Sequence, residues 1–305
     1  MKLLVTGASG LLGSNLVWDF SRQGHRVTAV HHSHALQIPG VAAAACDLTD
    51  HAGLSRLLVA VRPDCIVHCA AATNLEWCEA HPAECDRINA DVPGEIAALA
   101  RTLDAQMVHI STDAVFDGIS GGYRETDPVS PLNRYAQSKA RGETAVLREM
   151  PAALVLRTNL YGWNLQPKAS LAEWILSLLQ SGSPILGFSD VVFSPVLANH
   201  LGSWILELAA SGRSGIFHTA SRDHVSKYQF ARLLAEVFGC DPALVRESSI
   251  ADSALTAPRP RNTWLQADRL AAALGRPLPS IREGLEAFRD LAESGFAHRL
   301  RAAAA

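Results

Sequence analysis

Over the first 160 residues, short apolar runs alternate with stretches of helical spacing. "KLLVTG" (2–7) is an apolar run closed by glycine, and "LLGSNLVWDFSRQG" (11–24) carries helical periodicity up to Gly24. "RVTAV" (26–30), "CIVHCAA" (65–71), "QMVHIST" (106–112) and "ALVLRTN" (153–159) read as strands, with a further short strand before "CDLTD" (46–50). "ECDRINADVPGEIAALARTLD" (84–104) reads as a helix in which Pro93 marks an irregular first part or a kink. Strands and helices in this rhythm imply parallel β-α-β units, hence an α/β fold built on a doubly wound parallel sheet.

The rhythm changes after Asn159. "SLAEWILSLLQSG" (170–182), "LANHLGSWILELAASG" (197–212), "SKYQFARLLAEVFG" (226–239) and "SIREGLEAFRDLAESG" (280–295) read as amphipathic helices. The last two have serine at or near the start, a helix-opening signal. "TAPRPRNTWL" (256–265) is rich in proline and arginine and reads as a loop. The expected organisation is a dinucleotide-binding domain over 1–160 and a smaller substrate lobe over 161–305. "GIFHTA" (215–220) is expected to return to the sheet, and the final "RLRAAAA" to fray.

Of the 305 residues, 48% are hydrophobic and 19% charged, enough apolar content for a sizeable core. No run approaches the ~18–20 apolar residues that cross a bilayer, and the N-terminus lacks the features of a signal peptide, so a cytoplasmic location is expected. A net charge of −3 without a basic block argues against nucleic acid as a partner. The six cysteines form no C-x-x-C pair and the twelve histidines are scattered, so free thiols and no metal site are expected.

"VTGASGLLG" sets Gly7, Gly10 and Gly13 in a G-x-x-G-x-x-G pattern between a strand and a helix. Such a turn lets backbone approach a pyrophosphate and aims a helix N-terminus at it. An acidic residue after the second strand would hold the ribose of NAD. Here that strand runs into "VHHSH", where His31, His32 and Ser33 leave room for a phosphate, so NADP is favoured over NAD. Asp47 follows the third strand and is expected at the adenine edge. Ala70, Ala71 and Ala72 give space beside the ribose, with Asn89 bracing their loop.

Tyr135 and Lys139 stand at i and i+4 in a helix expected to open at Ser130-Pro131, and so share a face. A free phenol titrates near ~10; an ammonium group nearby lowers that value, and the phenol can then pass a proton to a carbonyl oxygen as hydride reaches the carbon. Lys139 can also reach ribose hydroxyls. Thr112, with Ser111 second, ends a parallel strand at the ligand edge and would orient the carbonyl.

These residues resemble the extended short-chain dehydrogenase/reductase superfamily, and within it the dTDP-4-dehydrorhamnose reductase group. The resemblance is carried by "VTGASGLLGSNL", "VHCAAATNLEWCEAHPAECDRINADVP", "ISTDAVFDG", "YRETDPVSPLNRYAQSKARGE", "LRTNLYG" and "APRPRNTWL". It implies a Rossmann-type fold, a Thr112–Tyr135–Lys139 catalytic set, NADPH or NADH, and a nucleotide-linked 4-keto-6-deoxy sugar in carbohydrate biosynthesis. The cofactor set expected on this basis adds Ser9, Leu11, Leu12, Leu48 and Thr158 to the residues above. Substrate contacts are expected from Thr73, Thr112, Asp113 and Asn159, with Arg157 near the same place and Arg259 and Arg261 gripping a diphosphate. A second copy of the chain is the one macromolecular partner left open. A dehydratase is disfavoured because Thr112-Asp113-Ala114 lacks the glutamate of that group's Thr-Asp-Glu run. An epimerase and a non-catalytic regulatory subunit, like that of methionine adenosyltransferase, stand as alternatives.

Overall fold

The computed structural model describes residues 1–253 and 256–304. The N-terminal half contains β1 (Lys2–Thr6), α1 (Leu11–Arg22), β2 (Arg26–His31), β3 (Ala42–Ala45), α2 (His51–Val61) and β4 (Cys65–His68). It continues with α3 (Leu75–Ala80), α4 (Pro82–Asp86), α5 (Val92–Thr102), β5 (Gln106–Thr112), α6 (Arg134–Glu149) and β6 (Leu154–Thr158). Then follow β7 (Leu160–Tyr161), α7 (Leu171–Gln180), β8 (Ile185–Phe188), β9 (Val192–Phe193), β10 (Val196–Leu197), α8 (Ala198–Ala210) and β11 (Gly215–Thr219). The last elements are β12 (Val225–Ser226), α9 (Lys227–Val237), β13 (Val245–Ser248), α10 (Asp268–Leu274), α11 (Ile281–Glu293) and α12 (Phe296–Ala302).

Seven strands form one parallel sheet in the order β3-β2-β1-β4-β5-β6-β11. The central strands β4 and β6 are buried along their whole length, as a sheet covered on both faces requires. The winding direction reverses between β1 and β4. Their C-terminal ends splay their loops apart there, and that is where ligands enter such sheets. The expected return of residues 215–220 is seen as β11, paired with β6 from Gly215–Leu154 to Thr219–Thr158.

The irregularity expected before Pro93 is a π-helical turn, Arg87–Asp91, that runs straight into α5. The serines that begin α7, α9 and α11 form capping boxes, with Ser170, Ser226 and Ser280 paired to Glu173, Gln229 and Glu283. Helices α7, α9 and α11 and the paired strands β8–β13 and β9–β12 build the lobe over the open edge of the cleft. Helix α8 instead packs on α1, where Asn199 donates to Asp19 at 3.0 Å.

Two expectations are corrected. The helix that carries Tyr135 and Lys139 does not open at Ser130-Pro131. It begins at Arg134 with Asn133 as cap, whose side chain accepts from the Ala136 N–H at 2.9 Å. Ser130 is held earlier by its backbone bond to the Val115 carbonyl, which keeps the intervening residues in a loop. The C-terminal stretch does not fray. Phe296 and Leu300 are buried, Phe296 meets Trp18 edge-on at 5.7 Å, and Ala304 forms a bridge to Leu36. The apolar face of α12 accounts for its docking; Ala305 lies outside the described residues.

Candidate active site

Two cavities meet at the sheet's C-terminal edge. The first, about 600 Å³, runs along the mouth of the β1–α1 turn. Gly7 takes φ +63°, and a Cβ there would lie 2.7 Å from the Ala70 backbone. A Cβ on Gly13 would lie 2.2 Å from the Gly7 carbonyl, so α1 can approach the sheet only with glycine at that place. Helix α1 starts with no side-chain cap, leaving first-turn N–H groups open at its positive end. An anionic dinucleotide fits this arrangement.

The cavity is lined by Gly7, Ser9, Gly10, Leu11, Leu12, Gly13, His32, Ser33, Ala70, Ala71, Ser111, Lys139 and Thr158 from the expected cofactor set. Thr73, expected at the substrate, lines this same cavity. Five expected cofactor residues do not line it. His31 is still within β2 and half-buried, one residue short of the opening. Asp47 is exposed, its carboxylate taken by the Thr49 N–H at 2.9 Å and hydroxyl at 2.7 Å. Those bonds hold it below the usual carboxylate range. Leu48 packs against the core cluster containing Leu54 and Leu58. Ala72 and Asn89 are bound to each other behind the wall: Asn89 accepts from the Ala72 N–H and donates to its carbonyl, both at 2.9 Å. Asn89 also donates to Ser138 at 3.0 Å, tying the loop after β4 to α6.

The second cavity, about 430 Å³, lies under the smaller lobe. Its wall is mostly apolar, with Trp174, Ile185, Leu186, Phe188 and Phe193 among its residues, and Lys227 and Arg259 as its cations. Thr112, Tyr135 and Asn159 line both cavities. Asp113, buried beside them, accepts from Thr263 at 2.6 Å, Asn159 at 3.0 Å and Thr112 at 3.2 Å. Burial raises its pKa while these three donors oppose the rise.

Tyr135 and Lys139 sit one turn apart on α6. The Tyr135 phenol is pushed up, not down: burial outweighs the bond from Thr112 that stabilises its ionised form. Lys139 donates to the Ile110 carbonyl at 2.6 Å and lies 3.3 Å from Nε2 of His109. Burial brings the Lys139 ammonium down to about 8, with Glu143 opposing the shift.

Of the three arginines expected near the substrate, Arg259 alone lines a cavity. Arg157 lines neither cavity; it is buried and bound to the Glu143 carboxylate on α6. Arg259 lines the substrate cavity but is already paired with Glu76 at 2.8 Å. Arg261 lines neither cavity and lies 3.5 Å from Asp190. Two lysines near helix starts, ranked below the arginines on sequence grounds, do line the cavities: Lys227, at the start of α9, the second, and Lys168, in the loop from Asn164 to Ser170, the first. Lys227 lies 3.4 Å over the Phe193 ring, and burial lowers it to about 8. No group of residues suited to a metal ion occurs among the described residues.

The family described as RmlD substrate binding domain matches residues 1–293. The chain belongs to this family, within the extended short-chain dehydrogenases/reductases. Among its relatives is the probable low-salt glycan biosynthesis reductase Agl14 of Haloferax volcanii, 34% identical over 293 residues, 94% of this chain and 97% of that one. A dTDP-4-dehydrorhamnose reductase of Mycolicibacterium smegmatis is 31% identical over 93% of this chain and 84% of its own. Among solved structures, the dTDP-4-dehydrorhamnose reductase of Bacillus anthracis in complex with NADP superposes with a TM-score of 0.84. It is 26% identical, covering 95% of this chain and 98% of that one. The RmlD-family chain described here is built on a Rossmann-type seven-stranded parallel sheet.

Proposed function

We propose that this protein is an NAD(P)H-dependent reductase of a nucleotide-activated 4-keto-6-deoxy sugar. The observation that carries the reading is that Thr112 and Tyr135 line both cavities while Lys139 lines the dinucleotide cavity alone. A carbonyl carbon at that junction faces the dinucleotide on one side and a proton donor on the other. The names of the two relatives and the NADP-bound neighbour support the same reaction class.

The dinucleotide, when bound, supplies the hydride. Tyr135 gives its phenolic proton to the carbonyl oxygen as that hydride reaches the carbon, turning the ketone into an alcohol. Its raised pKa keeps it protonated, and hence ready, across the neutral range. Thr112 binds the same carbonyl oxygen and fixes its direction. Lys139 holds a positive charge one helical turn away and favours the phenolate left behind. Lys227 and Arg259 supply the positive charge that the substrate's diphosphate needs, and the apolar wall accepts its base and the deoxy end of the sugar.

NADPH is the favoured reductant. His32 and Ser33 line the dinucleotide cavity, whereas Asp47 does not. The test is to incubate the protein with NADPH or NADH and a panel of nucleotide 4-keto-6-deoxy sugars, following loss of reduced-cofactor absorbance. Turnover of at least one sugar, faster with NADPH, is expected. No turnover with any, alongside tight dinucleotide binding, would overturn the assignment.

A further inference from the structure

Behind the catalytic helix lie two histidines that the reaction above does not use. His68 from β4 and His109 from β5 are each at most 1% exposed, in adjacent positions across the sheet. Their rings stack with centroids 5.4 Å apart and planes 18° from parallel. The Thr6 hydroxyl, at the end of β1 just before the glycine turn, lies 2.7 Å from Nδ1 of His68. On the other side, Nε2 of His109 lies 3.3 Å from the Lys139 ammonium. Nε2 of His68 and Nδ1 of His109 have no hydrogen-bond partner among the described residues.

The protonation pattern follows from donor and acceptor capacity. An ammonium can only donate, so Nε2 of His109 must present its lone pair to Lys139. The ring proton then sits on Nδ1, where it is buried without an acceptor. A leucine would fill this place without such an unpaired donor. The charged imidazole is excluded as well, because burial and the Lys139 charge both hold His109 well below its ordinary value. The arrangement therefore carries a local penalty whose one visible return is an acceptor for Lys139.

We propose that His109 is a positioning residue for Lys139: its Nε2 takes one ammonium hydrogen, the Ile110 carbonyl takes a second, and the third is left for the dinucleotide cavity. His68, anchored by Thr6, sets the plane of His109 through the stack. The proposal rests on the assignment of Lys139 to the reaction. The other titratable groups facing Lys139 are Glu143 one turn on in α6, the thiols Cys69 after β4 and Cys85 in α4, and His68; of these the Glu143 carboxylate favours the charged lysine most, against the burial that disfavours it. An acceptor bond from His109 acts in the same direction as the Glu143 carboxylate.

The test compares two amides. In His109→Gln the side-chain amide lies near the place of Nε2 and can still meet Lys139. In His109→Asn it lies near the place of Nδ1 and cannot. For the parent and the Gln variant, turnover and NADPH affinity should fall together as pH rises through about 8, the value to which burial brings Lys139. In the Asn variant that fall should move down by about half to one pH unit, weakening NADPH binding ~2- to 5-fold at pH 8. At pH 6.5 binding should be nearly unchanged, and KM for the sugar nucleotide should not move. If the Asn variant does not fold, His109→Met takes its place with the same expectation. If no sugar is turned over by the parent, the pH dependence of NADPH binding alone decides. Parent-like pH dependence in the Asn or Met variant, or equal shifts in Asn and Gln, would overturn the proposal and leave His109 a packing residue.

Discussion

Replacing Arg157 with methionine tests how the sheet's hidden face is held. The guanidinium meets Glu143 through three contacts, at 3.0, 3.2 and 2.7 Å, and both side chains are at most 5% exposed. Ser111 donates to the same carboxylate at 2.5 Å, and the guanidinium lies 5.1 Å from the centre of the Phe116 ring. Methionine fills the stem but leaves the Glu143 carboxylate buried with one hydroxyl bond, from Ser111, and the Lys139 ammonium one turn away. Removing one partner of such a pair costs about 3–5 kcal/mol. That is a large share of the ~5–15 kcal/mol that holds a folded domain together. Removing both, as Arg157→Met with Glu143→Leu, takes away the stranded charge, and most of the loss should return. Urea unfolding at 25 °C of the parent, both single variants and the double variant gives the four free energies needed. Kinetics on the folded protein supply the control, with KM for the sugar nucleotide expected to stay put. A loss below ~1 kcal/mol together with a raised KM would refute the reasoning and put the guanidinium to work in the substrate cleft.

Tyr135→Phe should lower turnover ~100- to 10,000-fold while NADPH binding measured by calorimetry is retained; near-parent turnover would remove Tyr135 from the proton step. Burial lowers Lys139 from 10.5 to about 8, so the charge it brings to the reaction is lost, and turnover should decline, as pH rises through about 8. A flat profile to pH 10 would contradict this. Stability runs the other way: between about 8 and 10.5 the unfolded lysine binds the proton that the folded one has released. The burial penalty is thus complete at pH 7 and fades towards pH 10.5, so Lys139→Met should gain more over the parent at pH 7 than at pH 10 in paired urea titrations. Lys227→Met should raise KM for the sugar nucleotide ~10- to 100-fold, the loss of one charge-assisted bond, whereas Arg261→Ala should leave it unchanged; the reverse pattern in steady-state kinetics would return the diphosphate to the proline-rich loop.

What was legible in the sequence was local or periodic. The glycine turn, the strand–helix alternation and the serine caps each depend on residues within a few positions of one another, so the chain states them outright. Less legible was direction across the sheet. Ser111 and Thr112 on β5 pair in register with Arg157 and Thr158 on β6. Successive side chains alternate faces, and Thr158 faces the dinucleotide cavity while Arg157 turns to Glu143. Alternation in "VLRTN" turns the two residues opposite ways but does not say which one reaches the cavity, since Ser111, in register with Arg157, lines it as well as Thr112. Other features had no local mark. Nothing in "CDLTD" shows that Thr49 consumes the Asp47 carboxylate, and nothing before α9 shows that Lys227 overlooks the substrate cavity. The docking of α12 did have a signal, in the spacing of Phe296, Ala297 and Leu300, obscured by the alanines that follow.

The outer face of α1 depends on distant partners: α8 covers one part of it and α12 another. Trp18 and Phe296 stand nearly 280 residues apart in the chain. A ribosome adds ~5–20 residues each second, so the glycine turn and its helix emerge about 15–60 s before α12 is made. Through that interval Leu16, Trp18 and Phe20 have no complete cover, and the sheet edge at β6 waits for β11 as well. The nascent dinucleotide half is thus an unfinished, sticky intermediate, the kind of species on which chaperones act. The turn that first gives away the fold is among the first parts synthesised and among the last to be closed in.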